Sequence, residues 1–565
     1  MASSRQTLKS AFDRHDSLEQ QSCLERFIIH LRQRLQSEQL TLIVGAGISA
    51  EAKAPLWNDL VARLQKKLDG GGRIKKTDPR WALGPAFLSQ ILFRRFAQNA
   101  VSDSQNTIPS VYRHVYANAK WMSEIRNELY KDVPSTIPQI IRKHSYIENL
   151  AKLSNLCRIT INFNFDDILF SVAKIIDNNS SPILSWNLPN NFPKKNSLIY
   201  HINGFIPRSE LKRGSQRLVF TEGAFAEWLP QTRSYESMSV LRFFSENTVI
   251  IVGCSLDDTS LKTMLRASMD VTPSNYHYYV YWMKDRDALS REQMIDIFHA
   301  NLDIYNMVTL FLTSRELNDV FNIILENDES IFLHRLNLLG ARENTFRFYV
   351  TGPVSVGKST LLERLRNFRT YEEWLKSPPD PMYKDKNLLT EAEKRNINRF
   401  LSEQLIMKNK IMQEVRHGFF VMDRSYLDLF AFSDSNDENI SKLEMIKNEI
   451  IPTGSFQNGQ VIFLMANGKT LEDRQWKRGK IPRDHSGLGY SQSTLESQQE
   501  LLCKIYDNCW VYDTSNSSPD ALARQVGRDI LMREYSPINF SDRVKFVENG
   551  GLADTYPEKG KHVKK

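Results

Sequence analysis

Twice in 565 residues a largely apolar run stops at a glycine-rich loop and gives way to a helix-like segment: LTLIVGAGIS at 40–49 and FRFYVTGPVSVGKST at 346–360. An apolar run without polar alternation reads as a strand buried on both faces, which a parallel sheet covered by helices provides. A glycine loop at the end of such a strand lets backbone amides approach a phosphate. Two openings of this kind, about 300 residues apart in the chain, imply two separate α/β units. The length points the same way: about 150 residues per domain allows roughly three to four compact units, or two large ones with extra helices.

Between the two loops the strand pattern repeats. CRITINF at 157–163, SLIYHING at 197–204, TVIIVGCS at 248–255, NYHYYVYWM at 275–283 and MVTLFL at 307–312 are short apolar runs separated by helix-length segments, the pattern of a doubly wound sheet. The spacing predicts helices over 18–36, 291–300 and 316–326, and a helical insertion over about 80–152 that can cap a cleft. After the second loop come GFFVMD at 418–423 and VIFLMA at 461–466, two more buried strands. The expected organisation is an N-terminal helical segment 1–37, a first α/β domain 38–328, a polar helical connector 329–344, a second α/β domain 345–535 and a basic tail 536–565.

Composition narrows the class. Hydrophobic residues at 41% and charged residues at 25% are ordinary for a globular protein. The five cysteines, Cys23, Cys157, Cys254, Cys503 and Cys509, form no CxxC pair, which argues against a disulfide framework and against structural zinc, and favours a reducing cytoplasm. No apolar signal-peptide core opens the chain and no run of about 18 apolar residues is present, so a soluble protein without membrane partners is expected. The charge of +8 is dispersed apart from EKGKHVKK at 558–565. Nucleic acid wants a concentrated basic face, so the surplus is read as a solvated surface that also suits anionic ligands such as dinucleotides.

GAGIS alone fits a tight turn as well as a nucleotide cradle. Other segments follow it in order: PLWNDL at 55–60, NFNFDDIL at 162–169, HINGFIP at 201–207 and GCSLDDTSL at 253–261. Together, over roughly 38–285, they resemble the sirtuin-like family. The resemblance implies a Rossmann-type domain that binds NAD, with Gly45, Ala46, Gly47 and Ser49 at the dinucleotide, Gly253 and Ser255 at its adenosine end, and Asp258 supporting that loop. Asn164 would lie near the nicotinamide ribose and position water or a hydroxyl, while Asp166 orients the site or the carboxamide; Asp167 is read as bonding local backbone. Without the paired zinc cysteines of the deacetylases, deacylation is not expected. Cleavage of NAD to nicotinamide and ADP-ribose, or to a cyclic product, is the activity of zinc-free relatives in bacterial antiphage defence.

One position departs from that family. The histidine before the glycine of its HG motif acts as general base on the ribose, and here Asn203 stands there. An amide accepts no proton near neutral pH. His201 shares a strand face with residue 203 but lies about 7 Å away along the strand. A binding-only domain, or an inactivating substitution in a toxic hydrolase, are the two alternatives this leaves.

GPVSVGKS at 352–359 satisfies the GxxxxGK[ST] pattern between a strand and a helix. Gly352 and Gly357 shape an anion nest, Lys358 can reach the β- and γ-phosphates of ATP, and Ser359, followed by Thr360, can ligate Mg2+. EEWLKSPPDPMYKDK at 372–386, Gln404 within FLSEQLIMKNK, and MDRSYLDLFAF at 422–432 resemble the deoxynucleoside kinases. The resemblance implies Glu372 or Glu373 as base on a sugar hydroxyl, Asp423 as Mg2+ support and Arg424 toward phosphate; a nucleoside or a nucleotide remains open as acceptor. LEDRQWKRGKIPRDH at 471–485 reads as a lid whose Arg474, Arg478 and Arg483 can fold over the transferring group, or as a solvated basic helix.

The leading expectation is an NAD hydrolase controlled by a kinase-like domain that senses a nucleotide, deoxynucleoside or deoxynucleotide. A homo-oligomer and a phage or protein trigger accompany it. The alternatives are a kinase with a regulatory NAD-binding domain, or a pair of binding modules in a larger complex.

Overall fold

The computed structural model describes residues 2–16, 18, 24–68, 79–103, 108–177, 183–185, 197–209, 218–224, 235–283, 289–339, 341, 343–384, 388–433, 435–478 and 489–552. The chain forms two compact units: Met1–Val271 with Tyr276–Gly340, and Ala341–Lys565 with the short segment Thr272–Asn275. Both are α/β units built on parallel sheets.

The sheet of the first unit contains β1 (Leu40–Val44), β2 (Ile159–Asn162), β3 (Ile183–Ser185), β4 (Leu198–His201), β5 (Thr248–Val252), β6 (His277–Trp282) and β7 (Met307–Leu312), in the order β3-β4-β2-β1-β5-β6-β7. All pairings are parallel. Every residue of β1, β2, β4 and β5 is buried, in keeping with their largely apolar sequences. Ile43, Ile161, Tyr200 and Ile251 pack with Val240, Phe244, Leu261 and Leu265 in one core. The chain leaves β1 for β2 on one side and returns to β5 on the other, so the loops after β1, β2 and β5 diverge at a topological switch point.

The insertion is helical, with helices Pro85–Asp103, Arg113–Tyr130, Ile137–Lys143 and Ile147–Leu156. Leu88, Leu92, Trp121, Ile125 and Leu129 form its core with Leu60 and Leu64 of helix Trp57–Leu68 and with Ile206 beyond β4. The N-terminal helices Ala2–Asp16 and Leu24–Gln36 belong to this unit. Arg14 donates to the Phe311 carbonyl (2.7 Å) and pairs with Glu316, while the Phe311 amide donates to His15 Nε2 (3.1 Å). Two side chains thus satisfy the outward backbone groups of an edge strand.

The second sheet has the order β12-β11-β8-β10-β9, with β8 (Thr345–Thr351), β9 (Arg369–Tyr371), β10 (Gly418–Asp423), β11 (Gln460–Met465) and β12 (Trp510–Asp513), again all parallel. β8 is the switch point, between β10 and β11.

Several segments differ from the sequence reading. Strands β3, β9 and β12 were not foreseen: β9 is largely exposed and β12 alternates buried with exposed residues, so neither carries the continuous apolar run of a central strand. Helix Glu329–Leu338, read as a polar connector, buries Phe332 and Leu336 in the first unit. Helix Phe540–Glu548, inside the expected tail, buries Phe540, Val544 and Val547 against the second core. The basic stretch 558–565 lies outside the described residues.

Candidate functional sites

In the first unit the glycines bring two loops into backbone contact. Gly45 N donates to Val252 O (3.0 Å) and Gly47 N to Gly253 O (2.9 Å). A Cβ on Gly45 would lie 2.6 Å from Gly253 O, and one on Gly253, whose φ is +72°, 2.6 Å from Ile48 N. No side chain fits at either position. The helix expected after the loop is a single turn, Gly47–Ala50, with Ala46 before it. Pro55 disfavours helical geometry just ahead of it, and the next helix starts at Trp57. Little helix dipole is therefore aimed at this loop, and the amides of Gly45, Gly47, Ile48 and Ser49 already donate to backbone carbonyls.

Ser49, on that turn, is the hub of a buried cluster with the loop after β2. Ser49 Oγ donates to Asp166 Oδ1 (3.0 Å), and Asn164 Nδ2 donates to Ser49 Oγ (3.3 Å). The Ile168 amide also donates to Asp166 Oδ1 (3.0 Å). Asn162 Oδ1 accepts from the Asn164 amide (2.8 Å), so the residue that ends β2 shapes the loop it leads into. Asn164 Oδ1 is sealed from solvent and has no donor. A buried acceptor left unpaired costs about 1–3 kcal/mol, and its position fits a ligand that brings hydroxyl donors, as a ribose does. Burial pushes the Asp166 carboxyl up to about 6, against the pull of the Ile168 amide and the Ser49 hydroxyl.

His201 ends β4 and is wholly buried. Its Nδ1 lies 2.8 Å from Asn164 O, its Nε2 3.4 Å from Asn162 Nδ2, and its ring packs against Phe205. Both nitrogens are engaged with protein, and burial pushes its pKa down to about 4. It supports the Asn164 peptide from behind. Asn203 is 7% exposed, its Nδ2 3.4 Å from Phe163 O and its carbonyl accepting from Val219 N. Gly253 is followed by an exposed Ser255, which bonds Asp257 (3.0 Å), and Asp258 Oδ1 accepts from the amides of Ser260 and Leu261 at the start of helix Thr259–Val271.

In this unit the sequence reading missed Tyr130. Tyr130, the last residue of an insertion helix, accepts from the Asp167 amide (2.9 Å) and lies within hydrogen-bond reach of Asp167 Oδ1 (2.9 Å) and Ile206 O (2.8 Å). Asp167 therefore bonds a side chain 37 positions away and not only local backbone. Nothing in the local pattern of NELYKD marks Tyr130; it is brought to the site by the fold.

In the second unit the loop after β8 has the backbone its glycines predict. Gly352 and Gly357 have φ of +144° and +110°, and Ser355 joins them at +66°. Lys358 is buried, its Nζ donating to Gly352 O and Pro353 O at 3.0 Å each. Burial and then Arg424 push its pKa down to about 8. Ser359 is exposed and Thr360 half-buried at the start of helix Lys358–Arg364.

A buried charge network adjoins this loop. Arg424, at φ +63°, pairs through Nε with Glu373 Oε1 (2.5 Å), faces Asp428 (3.6 Å) and lies over the Phe432 ring (5.0 Å). Burial works against the Glu373 carboxylate, but Arg424 and Lys358 outweigh it and hold its pKa below the ordinary range. Glu372, the other candidate, is exposed. Asp423 is buried with Oδ1 lacking a donor, and burial raises its pKa against the neighbouring Lys358 and Arg424. An acceptor of this kind fits a cation. Gln404 is buried, its Oε1 accepting from the Leu375 amide (2.8 Å) and its Nε2 without a partner.

Lys408 and Asp428 complete the network and were not singled out from sequence. Lys408 is buried and donates to Asp423 O (2.7 Å); Asp428 accepts from Thr351 Oγ1 (2.8 Å) and Tyr506 OH (2.6 Å). Helical spacing held a signal, since Lys408 lies four residues after Gln404 and so on the same helix face. Of the lid arginines, Arg474 is tied to Val356 O (3.1 Å) and to Thr514, Arg478 is exposed, and Arg483 lies outside the described residues.

Residues 158–304 match the SIR2-like domain family, a stretch that contains Asn164, Asp166, His201, Asn203 and Gly253 but not the Gly45 loop. No curated protein matches the chain in sequence. Similar solved structures include a deoxyadenosine kinase from M. mycoides with bound dATP, at 17% identity and a TM-score of 0.24, covering 36% of this chain and 98% of that one. A structure of EHV4-TK complexed with TP4A is similar at 11% identity and a TM-score of 0.23, covering 37% and 97%. No helix among the described residues is long and apolar enough to cross a membrane.

Proposed function

We propose that the first unit binds NAD across the ends of β1, β2 and β5 and hydrolyses it to nicotinamide and ADP-ribose or a cyclic product. Nucleotide bound by the second unit controls this reaction, in a bacterial antiphage defence that acts by NAD depletion and assembles as a homo-oligomer. The observation that carries the reading is the buried Asn164–Ser49–Asp166 cluster, whose unpaired Asn164 Oδ1 calls for a hydroxyl-bearing ligand at the switch point of a SIR2-like domain. Gly45, Ala46, Gly47 and Ser49 would line the dinucleotide at close backbone approach, with Gly253 and Ser255 at its adenosine end.

In the second unit, Lys358 and the loop amides would hold the phosphates of ATP, and Ser359 and Asp423 would hold Mg2+. Magnesium supplies charge neutralisation at the phosphates when bound. The pairing of Glu373 with Arg424 beside Lys358 favours a second reading, in which this unit phosphorylates a deoxynucleoside or deoxynucleotide and the first unit is regulatory.

One experiment separates these. Full-length protein is incubated with NAD, with and without ATP, Mg2+ and a panel of deoxynucleosides and deoxynucleotides, and nicotinamide, ADP-ribose and phosphorylated products are quantified. Nicotinamide release modulated by nucleotide supports the gated hydrolase. Phosphorylated product without nicotinamide release supports the kinase, and binding without turnover in either unit leaves a pair of binding modules.

A further inference from the structure

Hydrolysis of a nicotinamide glycoside needs somewhere for a proton to go, and the position expected to hold a histidine is Asn203. The nearest imidazole does not stand in for it. His201 is 0% exposed, with its ring nitrogens engaged at Asn164 O and Asn162 Nδ2 and its ring packed against Phe205. His144 lies behind the Gly47–Ala50 turn, its Nε2 on Ile48 O and its Nδ1 toward Glu51. Tyr130 and Asp167 are engaged with each other, and burial keeps the Tyr130 phenol protonated.

Asp166 is the titratable group that remains. It sits directly against Ser49 of the glycine loop, and the donors that reach it from other residues, Ser49 Oγ and the Ile168 amide, both fall on Oδ1, leaving Oδ2 for a water. We infer that Asp166 is the general base of this chain, taking a proton from the attacking water in the position that a histidine would otherwise serve, while Ser49 and Asn164 fix the carboxylate and the reacting ribose. This rests on the NAD-cleavage reading above. In the step, the water oxygen bonds to the anomeric carbon and the carbon–nitrogen glycosidic bond breaks. Its electron pair passes to the nicotinamide ring nitrogen and neutralises it. The water proton passes to Asp166 Oδ2 and then to solvent, so that the products are nicotinamide, ADP-ribose and one proton.

The environment suits the task. Burial raises the Asp166 carboxyl to about 6, and the charged or titratable groups facing it are Asp167 beside it and Tyr130 from the insertion helix; the glycine-loop turn contributes only the Ser49 hydroxyl. A base of that strength is ionised at neutral pH yet more basic than an ordinary carboxylate.

The test compares full-length wild type, Asp166→Asn, Asn203→His and the double variant for nicotinamide release between pH 5 and 9, with NAD affinity and thermal unfolding measured on the same proteins. The wild type is expected to lose kcat/KM below about pH 6. Asp166→Asn alone should lose about 100-fold or more in kcat, with NAD affinity within a few-fold of wild type. In the Asn203→His background an imidazole takes over the proton, so the same Asp166→Asn change should cost under about 10-fold. An equal loss in both backgrounds, or a loss of affinity that accounts for the loss of rate, would make Asp166 a binding residue and overturn the inference. Release by the Asn203→His proteins only would keep the NAD-cleavage reading and sink the Asp166 assignment; no release by any of the four would remove both.

Discussion

The two candidate sites solve the problem of buried polarity in opposite ways. The first is poor in charge: amides and hydroxyls surround the neighbouring Asp166 and Asp167, burial renders Asp166 half-neutral near pH 6, and a single acceptor is left over at Asn164. The second is rich in charge: Lys358, Lys408 and Arg424 interlock with Glu373, Asp423 and Asp428, three cations against three acids. A neutral cluster tolerates the loss of one member more easily than an ion-pair network, in which each removal strands a buried charge. The contrast also separates what each unit offers a ligand: the first directed hydrogen bonds, the second a network of paired charges.

The sharpest way to break this comparison is Arg424→Ala. It leaves Glu373 and Asp428 without their cation, and a loss of about 3–5 kcal/mol in the stability of the second unit is expected in denaturant unfolding. A loss under about 1 kcal/mol would mean that the network is not interdependent. Gly253→Ala tests whether the first site depends on backbone contact more than on charge. The φ of +72° and the 2.6 Å approach to Ile48 N predict a cost of about 2–4 kcal/mol, with NAD affinity falling in parallel.

The Asp166 carboxyl supplies a pH signature. Its folded pKa of about 6 lies above the unfolded value of 3.8, so its contribution favours the folded state at low pH and is lost as pH rises through about 6. Relative to Asp166→Asn, the wild-type first unit should therefore lose on the order of 3 kcal/mol between pH 4 and pH 7. Parallel unfolding profiles of the two proteins across that range would show that the carboxylate is better solvated than its burial implies. The smallest effect concerns Tyr130→Phe, which removes one hydroxyl shared by Asp167 and Ile206 O. A cost of about 1–2 kcal/mol is expected, together with faster amide exchange in the loops at 163–167 and 203–207.

The central strands were legible because they are buried on both faces and therefore largely apolar, and the catalytic candidates on their loops came from motif order alone. Edge elements were not. β12 alternates in burial, and β9 is mostly exposed and three residues long. Helix Phe540–Glu548 shows why tails are hard to read: its buried Phe540, Val544 and Val547 are only three among polar neighbours, and their meaning depends on the core that receives them.

Of Glu372 and Glu373, adjacent in sequence and alike in chemistry, the backbone turn after β9 aims one at Arg424 and the other at solvent. Strand parity expects residues 201 and 203 on one face, but the strand ends at His201, whose ring is enclosed, and Asn203 lies in the turn beyond it. By itself the sequence determined two parallel α/β sheets, the loops that follow their first strands, and the residue types available at those loops, because buried strands and phosphate-sized turns impose local patterns. Only the tertiary structure decided which side chains meet. The Asn164–Ser49–Asp166 cluster joins positions more than a hundred residues apart, Tyr130 enters from an insertion, and Lys408 and Asp428 close a network from two further elements. Such convergence depends on strand order and on the balance of buried charge, neither of which is written in any short stretch of chain.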